Sequence, residues 1–390
     1  METFTFSTTE LLLLSAAGVL FMIQLVYYLG LYNRVHSRNK AARNKTTYFN
    51  HDYPPVSVII CSRNEADNLR NFLPAILEQE YPKFEVIVIN DASTDETEDV
   101  LGFLENKYSN LYHSFTPESA RYISHKKLAL TLGIKASKYD WLVFTETNCK
   151  PMSNQWLKLM ARNFTPHTEV VLGYSGYDDA KGWTSRKIAF DNLFLSMRYL
   201  GLALCGKPYM GIGKNLAYRK DLFFQKKGFS NHLNLQRGED DLFINQIANG
   251  NNTRVESDMN ATMRIQPDEQ QKVWKEEKIS YAATSRFYKG IQRAILGFET
   301  TTRILLHATC AGGIVVGILN KQWILLGSIL FFWIVRFILQ MIVINKASKE
   351  LDGRRRYYLS LPLFDILQPL QTLGFKIDRL FMTKNNFIRR

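Results

Sequence analysis

Several polar groups stand where apolar runs stop, and their types suit an anionic substrate. Glu146 and Asn148 follow the run 141–145, one residue apart. Residues i and i+2 of an extended segment project to one side, so a carboxylate and an amide oxygen could share one cation there. Hard divalent cations take such oxygen ligands. Asp91, Ser93 and Asp95 follow the run 84–90, and Arg63, Asn64 and Glu65 follow the run 56–61. Glu239, Asp240 and Asp241 are adjacent. Neighbouring carboxylates repel, which raises the pKa of one of them and suits it to take a proton from a hydroxyl. Asp240 is the preferred base, with Glu239 beside it. Each group also has a plainer use: Asn64 and Ser93 as helix caps, Asp91 in a turn, Lys126 and Lys127 on a solvated face, the acids at a helix start. Their recurrence at three successive strand ends favours a site.

The elements that must position them alternate. "VSVIIC" (56–61) is a continuous apolar run, as a buried parallel strand should be. A helix is expected from Asn64, with Leu69, Phe72, Leu73, Ile76 and Leu77 at helical spacing. "FEVIVIN" (84–90) is the next strand, and Ser93 with Glu96 reads as a capping box for the next helix. Lys126–Ser137 reads as a helix and "DWLVFTE" (140–146) as a strand. This β-α-β-α-β series predicts an α/β fold: a mostly parallel sheet flanked by helices, with ligands at the carboxyl ends of the strands. No GxGxxG or GxxxxGK[ST] is present, which argues against Rossmann-type dinucleotide binding and P-loop chemistry.

The chain has 390 residues, a formal charge of +13 and four cysteines. Cys61, Cys149, Cys205 and Cys310 form no CxxC pair, so free thiols in a reducing compartment are expected. Leu11–Tyr32 is 22 residues without a charge, enough to cross a hydrocarbon core of ~30 Å. Glu2 and Glu10 precede it and no A-x-A site follows, which does not suit a cleaved signal peptide. Ile304–Leu319 and Gln322–Ile344 read as a helical hairpin, the second carrying Arg336, which must snorkel or pair. Leu359–Phe381, broken by Pro362, Asp365, Pro369 and Lys376, reads as amphipathic or re-entrant. Basic residues follow the first span and the hairpin, so the positive-inside rule places residues 34–303 in the cytoplasm. The expected organisation is an anchor at 1–33, a basic juxtamembrane linker at 34–53, an α/β domain at 54–290 and a membrane region at 291–390. The last would hold a hairpin at about 304–344 and the segment 359–382. Much of the positive charge is juxtamembrane, and there is no nucleic-acid motif or basic aromatic stripe, so no nucleic-acid partner is expected.

The motifs "VSVIICSRNEADNL", "VIVINDASTDET", "HKKLALTLGI", "TETNCKP", "GIGKNLAYRKDLF" and "GEDDLFI" together resemble the family-2 glycosyltransferases of GT-A fold, over roughly residues 54–290. The flanking segments resemble the membrane-bound bacterial members. The resemblance implies a nucleotide pocket of Arg63, Asn64, Glu65, Asp91 and Lys126, with Asp91 on the base. It implies a donor-sugar loop at Gly213 and Asn215, a divalent metal (Mg or Mn) held at Glu146 and Asn148, and a catalytic base at Asp240 or Glu239. The partners implied are a UDP- or GDP-linked sugar donor, a lipid-linked or glycan acceptor and the bacterial inner membrane, with transfer by inversion. Two departures stand out. The usual Asp-x-Asp is Glu-x-Asn here. The usual Gln-x-x-Arg-Trp falls on Glu277, Ser280 and Tyr281, so its cation is missing, with Lys278 and Arg286 the nearest replacements. They motivate the alternative of a catalytically impaired relative acting as a membrane scaffold or partner of an active transferase.

Overall fold

The computed structural model describes residues 6–117, 124–266 and 270–381. In chain order its strands are β1 (Val56–Ser62), β2 (Phe84–Asn90), β3 (Leu111–Phe115), β4 (Trp141–Phe144), β5 (Cys149–Pro151), β6 (Val170–Leu172), β7 (Ser175–Tyr177), β8 (Leu216–Arg219), β9 (Thr253–Val255) and β10 (Met263–Ile265). Seven form one sheet in the order β3-β2-β1-β4-β8-β6-β9, and β5-β10-β7 form a smaller one. The strand β1 runs parallel to β2 and β4, while β8 runs antiparallel to β4 and β6. The carboxyl ends of β1, β2 and β4 therefore share one rim. The antiparallel β8 begins at that same rim, with Leu216 opposite Phe144.

The central strands are apolar on both faces, and their alternation divides them between two cores. Ile59, Ile87, Ile89, Leu142 and Phe144 face one, Val58, Ile60, Val86, Val88 and Val143 the other. Each fully buried side chain of this size contributes ~1.5–3 kcal/mol against exposure. The helix His125–Ala136 lies so close to the sheet that a Cβ on Gly133 would meet Ile59 at 2.8 Å.

Two expected helix starts differ. The first helix of the domain runs Ala66–Leu77, and Asn64 lies before it at φ +54°. Its side chain accepts from the Thr94 N–H at 2.8 Å instead of capping a helix. The next helix begins at Thr97, and no Ser93–Glu96 box forms. Ser93 Oγ accepts from the Asn64 N–H at 2.9 Å, while Asp95 accepts from the Thr97 and Ala66 N–H groups at 3.1 and 3.2 Å. The loops after β1 and β2 are thus tied to each other, which occupies the side chains that would have capped locally.

Among the described residues, three helices are long and apolar enough to cross a membrane: Thr8–Arg43, Gln292–Leu319 and Trp323–Leu351. The first contains a π-helical turn at Tyr28–Tyr32 and stays helical through much of the expected linker. The segment expected to be amphipathic or re-entrant is a helix, Leu361–Phe381, whose buried residues include Leu361, Phe364, Asp365 and Gln368. Its Asp365 receives Arg303 at 3.1 Å, Arg336 at 2.8 Å and His307 at 2.9 Å, all from the two preceding helices. Arg336 is thereby paired rather than snorkelling. Removing one partner of a buried ion cluster costs ~3–5 kcal/mol, because the remaining charges stay buried. Asp365→Ala should lower the unfolding free energy of the detergent-solubilised protein by such an amount; an unchanged unfolding free energy would contradict the pairing.

Candidate active site

The shared rim opens into a cleft of about 740 Å³, within the size range of small-molecule sites. Arg63, Glu65, Asp91, Lys126, Glu146, Asn148, Gly213, Glu239 and Asp240 all line it. Asp91 is buried just past β2 and accepts from the Thr116 hydroxyl at 2.9 Å. His125 stands 3.2 Å from it and Arg63 3.8 Å. Asn64 is exposed and is not among the lining residues, because its amide binds the β2 loop. Asn215 is also outside the lining. It is buried, donating to the carbonyls of Tyr174 and Ala261 at 2.8 Å and accepting from Trp156 Nε1 at 3.0 Å. Asn215 holds the β8 approach in place, while its neighbour Gly213 faces the cleft.

Charges alternate at the end of β4. Glu146 Oε1 accepts from Lys126 Nζ at 2.6 Å, and Glu146 Oε2 lies 2.9 Å from Lys214 Nζ. Lys126 also reaches Glu239 at 3.0 Å, and Lys214 reaches Glu277. Burial works against the Glu146 charge, but the two ammonium groups outweigh it and hold the carboxyl well below the usual range. Burial likewise opposes the Lys126 charge, and Glu146 and Glu239 more than offset it, so its pKa is raised. Asp240 has no such contact among the described residues. Burial, then Asp241 and Glu239, push it up to about 7. Its Oδ2 accepts the Gly213 N–H at 3.0 Å and its Oδ1 the Asp241 N–H at 2.7 Å, which fixes the carboxyl at the cleft wall. Asp241 turns away and is bound by Thr284 and Tyr288. One oxygen of Glu239, Oε2, is buried with no hydrogen-bond partner.

The Glu146–Asn148 pair does not form a ligand set for a divalent ion. Both Glu146 oxygens are engaged by ammonium groups, and Asn148 Oδ1 accepts the Cys149 thiol at 3.3 Å. Among the described residues no three His, Cys, Asp or Glu side chains gather as metal ligands. A hard cation needs several free oxygens, which this strand end does not offer while the lysine contacts hold.

Lys127, for which a solvated face is the plainer reading of the sequence, is fully buried. Its ammonium donates to the carbonyls of His232, Leu235 and Arg237 at 2.6, 2.7 and 2.9 Å, and burial lowers its pKa to about 8. It thus secures the loop that forms one cleft wall. The helix Gln270–Thr284 supplies the opposite wall through Glu277, Ser280 and Tyr281. Neither replacement for its missing cation enters the cleft: Lys278 pairs with Asp191, and Arg286 stacks on Phe287 at 4.5 Å. Lys214, Arg237 and, from the helix Gln270–Thr284, Lys272 line the cleft without having been singled out from the sequence. For Lys214 the signal was its place between Gly213 and Asn215. Continuing the β4–β8 register past Phe144 and Leu216 sets Lys214 opposite Glu146.

Comparison with known proteins bears on the family and the fold. Residues 57–224 match the model of glycosyl transferase family 2. The glycosyltransferase AglE of Haloferax volcanii is 35% identical over 107 residues, 27% of this chain and 34% of the relative. The poly-β-1,6-N-acetyl-D-glucosamine synthase of Staphylococcus epidermidis is 30% identical over 89 residues, 23% of this chain and 20% of the relative. The chain thus spans about a third or less of the length of these curated relatives. Among solved structures, the mannosyltransferase PcManGT of Pyrobaculum calidifontis, in complex with GDP-Man and Mn2+, superimposes with a TM-score of 0.53. It is 16% identical, and the alignment covers 88% of this chain and all of that one. The α/β domain thus carries the match to glycosyl transferase family 2 over residues 57–224, and its fold is GT-A-like.

Proposed function

We propose that this protein is a membrane-anchored glycosyltransferase. It moves a sugar from a UDP- or GDP-linked donor to a lipid-linked or glycan acceptor on the cytoplasmic face of a bacterial inner membrane. The observation that carries the proposal is the convergence of Asp91, Glu146 and Asp240 on one cleft. The solved mannosyltransferase holds a nucleotide sugar, which supports a donor of that class. The three membrane-length helices and the basic residues beside them support the placement.

In this mechanism the nucleoside lies against the β1 and β2 ends, where Asp91 accepts from the base. The acceptor hydroxyl approaches Asp240, which takes its proton as the oxygen bonds to the anomeric carbon. The bond from that carbon to the donor phosphate breaks, and the diphosphate leaves with the electron pair beside Lys126. Direct displacement inverts the anomeric configuration. A base with a pKa near 7 is matched to this work at neutral pH, because it is strong enough to accept a proton and still about half ionised.

General-base catalysis contributes ~10²–10⁴-fold. Asp240→Asn should therefore lower nucleoside diphosphate release from the purified full-length protein by a factor in that range; release equal to the wild type would remove Asp240 from the mechanism. The same residue sets a pH dependence. Its carboxyl must be ionised, and its pKa is pushed up to about 7. The kcat/KM profile should rise with pH and level off above about 7; a profile flat from pH 5 to 8 would contradict the assignment.

A further inference from the structure

Two cationic functions that the family resemblance leads one to expect are weakened in this sequence. The strand end after β4 carries one carboxylate where two are usual, and the helix Gln270–Thr284 lacks an arginine facing the donor. Lys214 stands between these two places. Its ammonium lies 2.9 Å from Glu146 on the strand end and also contacts Glu277, on the helix where the arginine would lie. The side chain is only 5% exposed, so the charge is held rather than free to swing into solvent. An ammonium has three donors, and two are used here, leaving one for a ligand in the cleft. Acids outnumber lysines and arginines among the lining side chains. The overall field therefore does not favour a diphosphate, and recognition depends on a cation at contact distance.

We propose that Lys214 is a donor-diphosphate ligand of this protein, supplying from the β8 approach a cation in place of the arginine that the helix Gln270–Thr284 lacks. Glu146 and Glu277 then act as positioning residues, presenting the ammonium to the phosphate oxygens. In transfer, Lys214 meets the negative charge that develops on the departing diphosphate as the bond to the anomeric carbon breaks, while Asp240 holds the acceptor proton. This inference rests on the transferase reading above and assigns one residue within it.

The test separates phosphate recognition from nucleoside recognition. Titration calorimetry on the full-length protein in detergent would compare GDP with GMP and UDP with UMP, in the presence of Mn2+ and again with EDTA. The wild type should prefer the diphosphate of at least one pair in both conditions. Losing a charge-assisted hydrogen bond costs on the order of tenfold or more. Lys214→Met should shrink the preference by that factor, with monophosphate affinity held within about twofold, while Lys214→Arg should retain most of it. The double variant Lys214→Met with Glu277→Gln guards against misfolding, because it leaves one fewer unpaired buried charge. An undiminished diphosphate preference in these variants overturns the role of Lys214 alone. A wild type that binds none of the four nucleotides overturns the transferase reading and this inference with it.

Discussion

Carboxylates crowded at a dry strand end need cations, and that constraint organises the site. Glu239 is buried and Glu146 partly buried past the ends of a mostly parallel sheet, where charge without a partner costs several kcal/mol. Lys126 bridges them, and Lys214 extends the chain of charges to Glu277. Asp240 lies next to this network without a lysine of its own, which is why it holds its proton near neutrality while Glu146 does not. One arrangement therefore yields two kinds of carboxylate, one fixed as an anion and one able to exchange a proton.

A second charge cluster ties the domain to its membrane-length helices. Asp365 gathers Arg303, Arg336 and His307, and Arg198 of the long helix Trp183–Leu204 pairs with Glu299. The last helix is also held by Trp274, whose ring lies 5.2 Å from Phe375. Trp274 belongs to the same helix that lines the cleft with Glu277 and Tyr281. The cleft wall and the docked C-terminal helix are thus parts of one packed unit, in which polar pairing acts beside the apolar packing of Leu361 and Phe364.

The order of strands and helices was legible because both central strands are continuous apolar runs and the helices keep their spacing. The acids at the strand ends were legible for the same reason: polar residues that end a buried run at a shared rim are exposed to a common space. Two kinds of feature were not. Helix starts at Asn64 and Ser93 looked local, yet those side chains bond across loops about thirty positions apart, which no local pattern encodes. Lys214 was missed because its partner depends on β8 lying antiparallel beside β4, a long-range pairing. Lys127 looked like a surface lysine because nothing nearby in sequence announces the three carbonyls that receive it.

The proposed function requires that the rim of this sheet receive a nucleoside diphosphate. A structure of the full-length protein determined with saturating GDP or UDP tests it most directly. The base is expected beside Asp91 and the diphosphate within hydrogen-bonding distance of the Lys214 ammonium, with Asp240 open to the far side of the cleft. Density for the nucleotide on another surface, or a cleft left empty at saturation with both nucleotides, would contradict it.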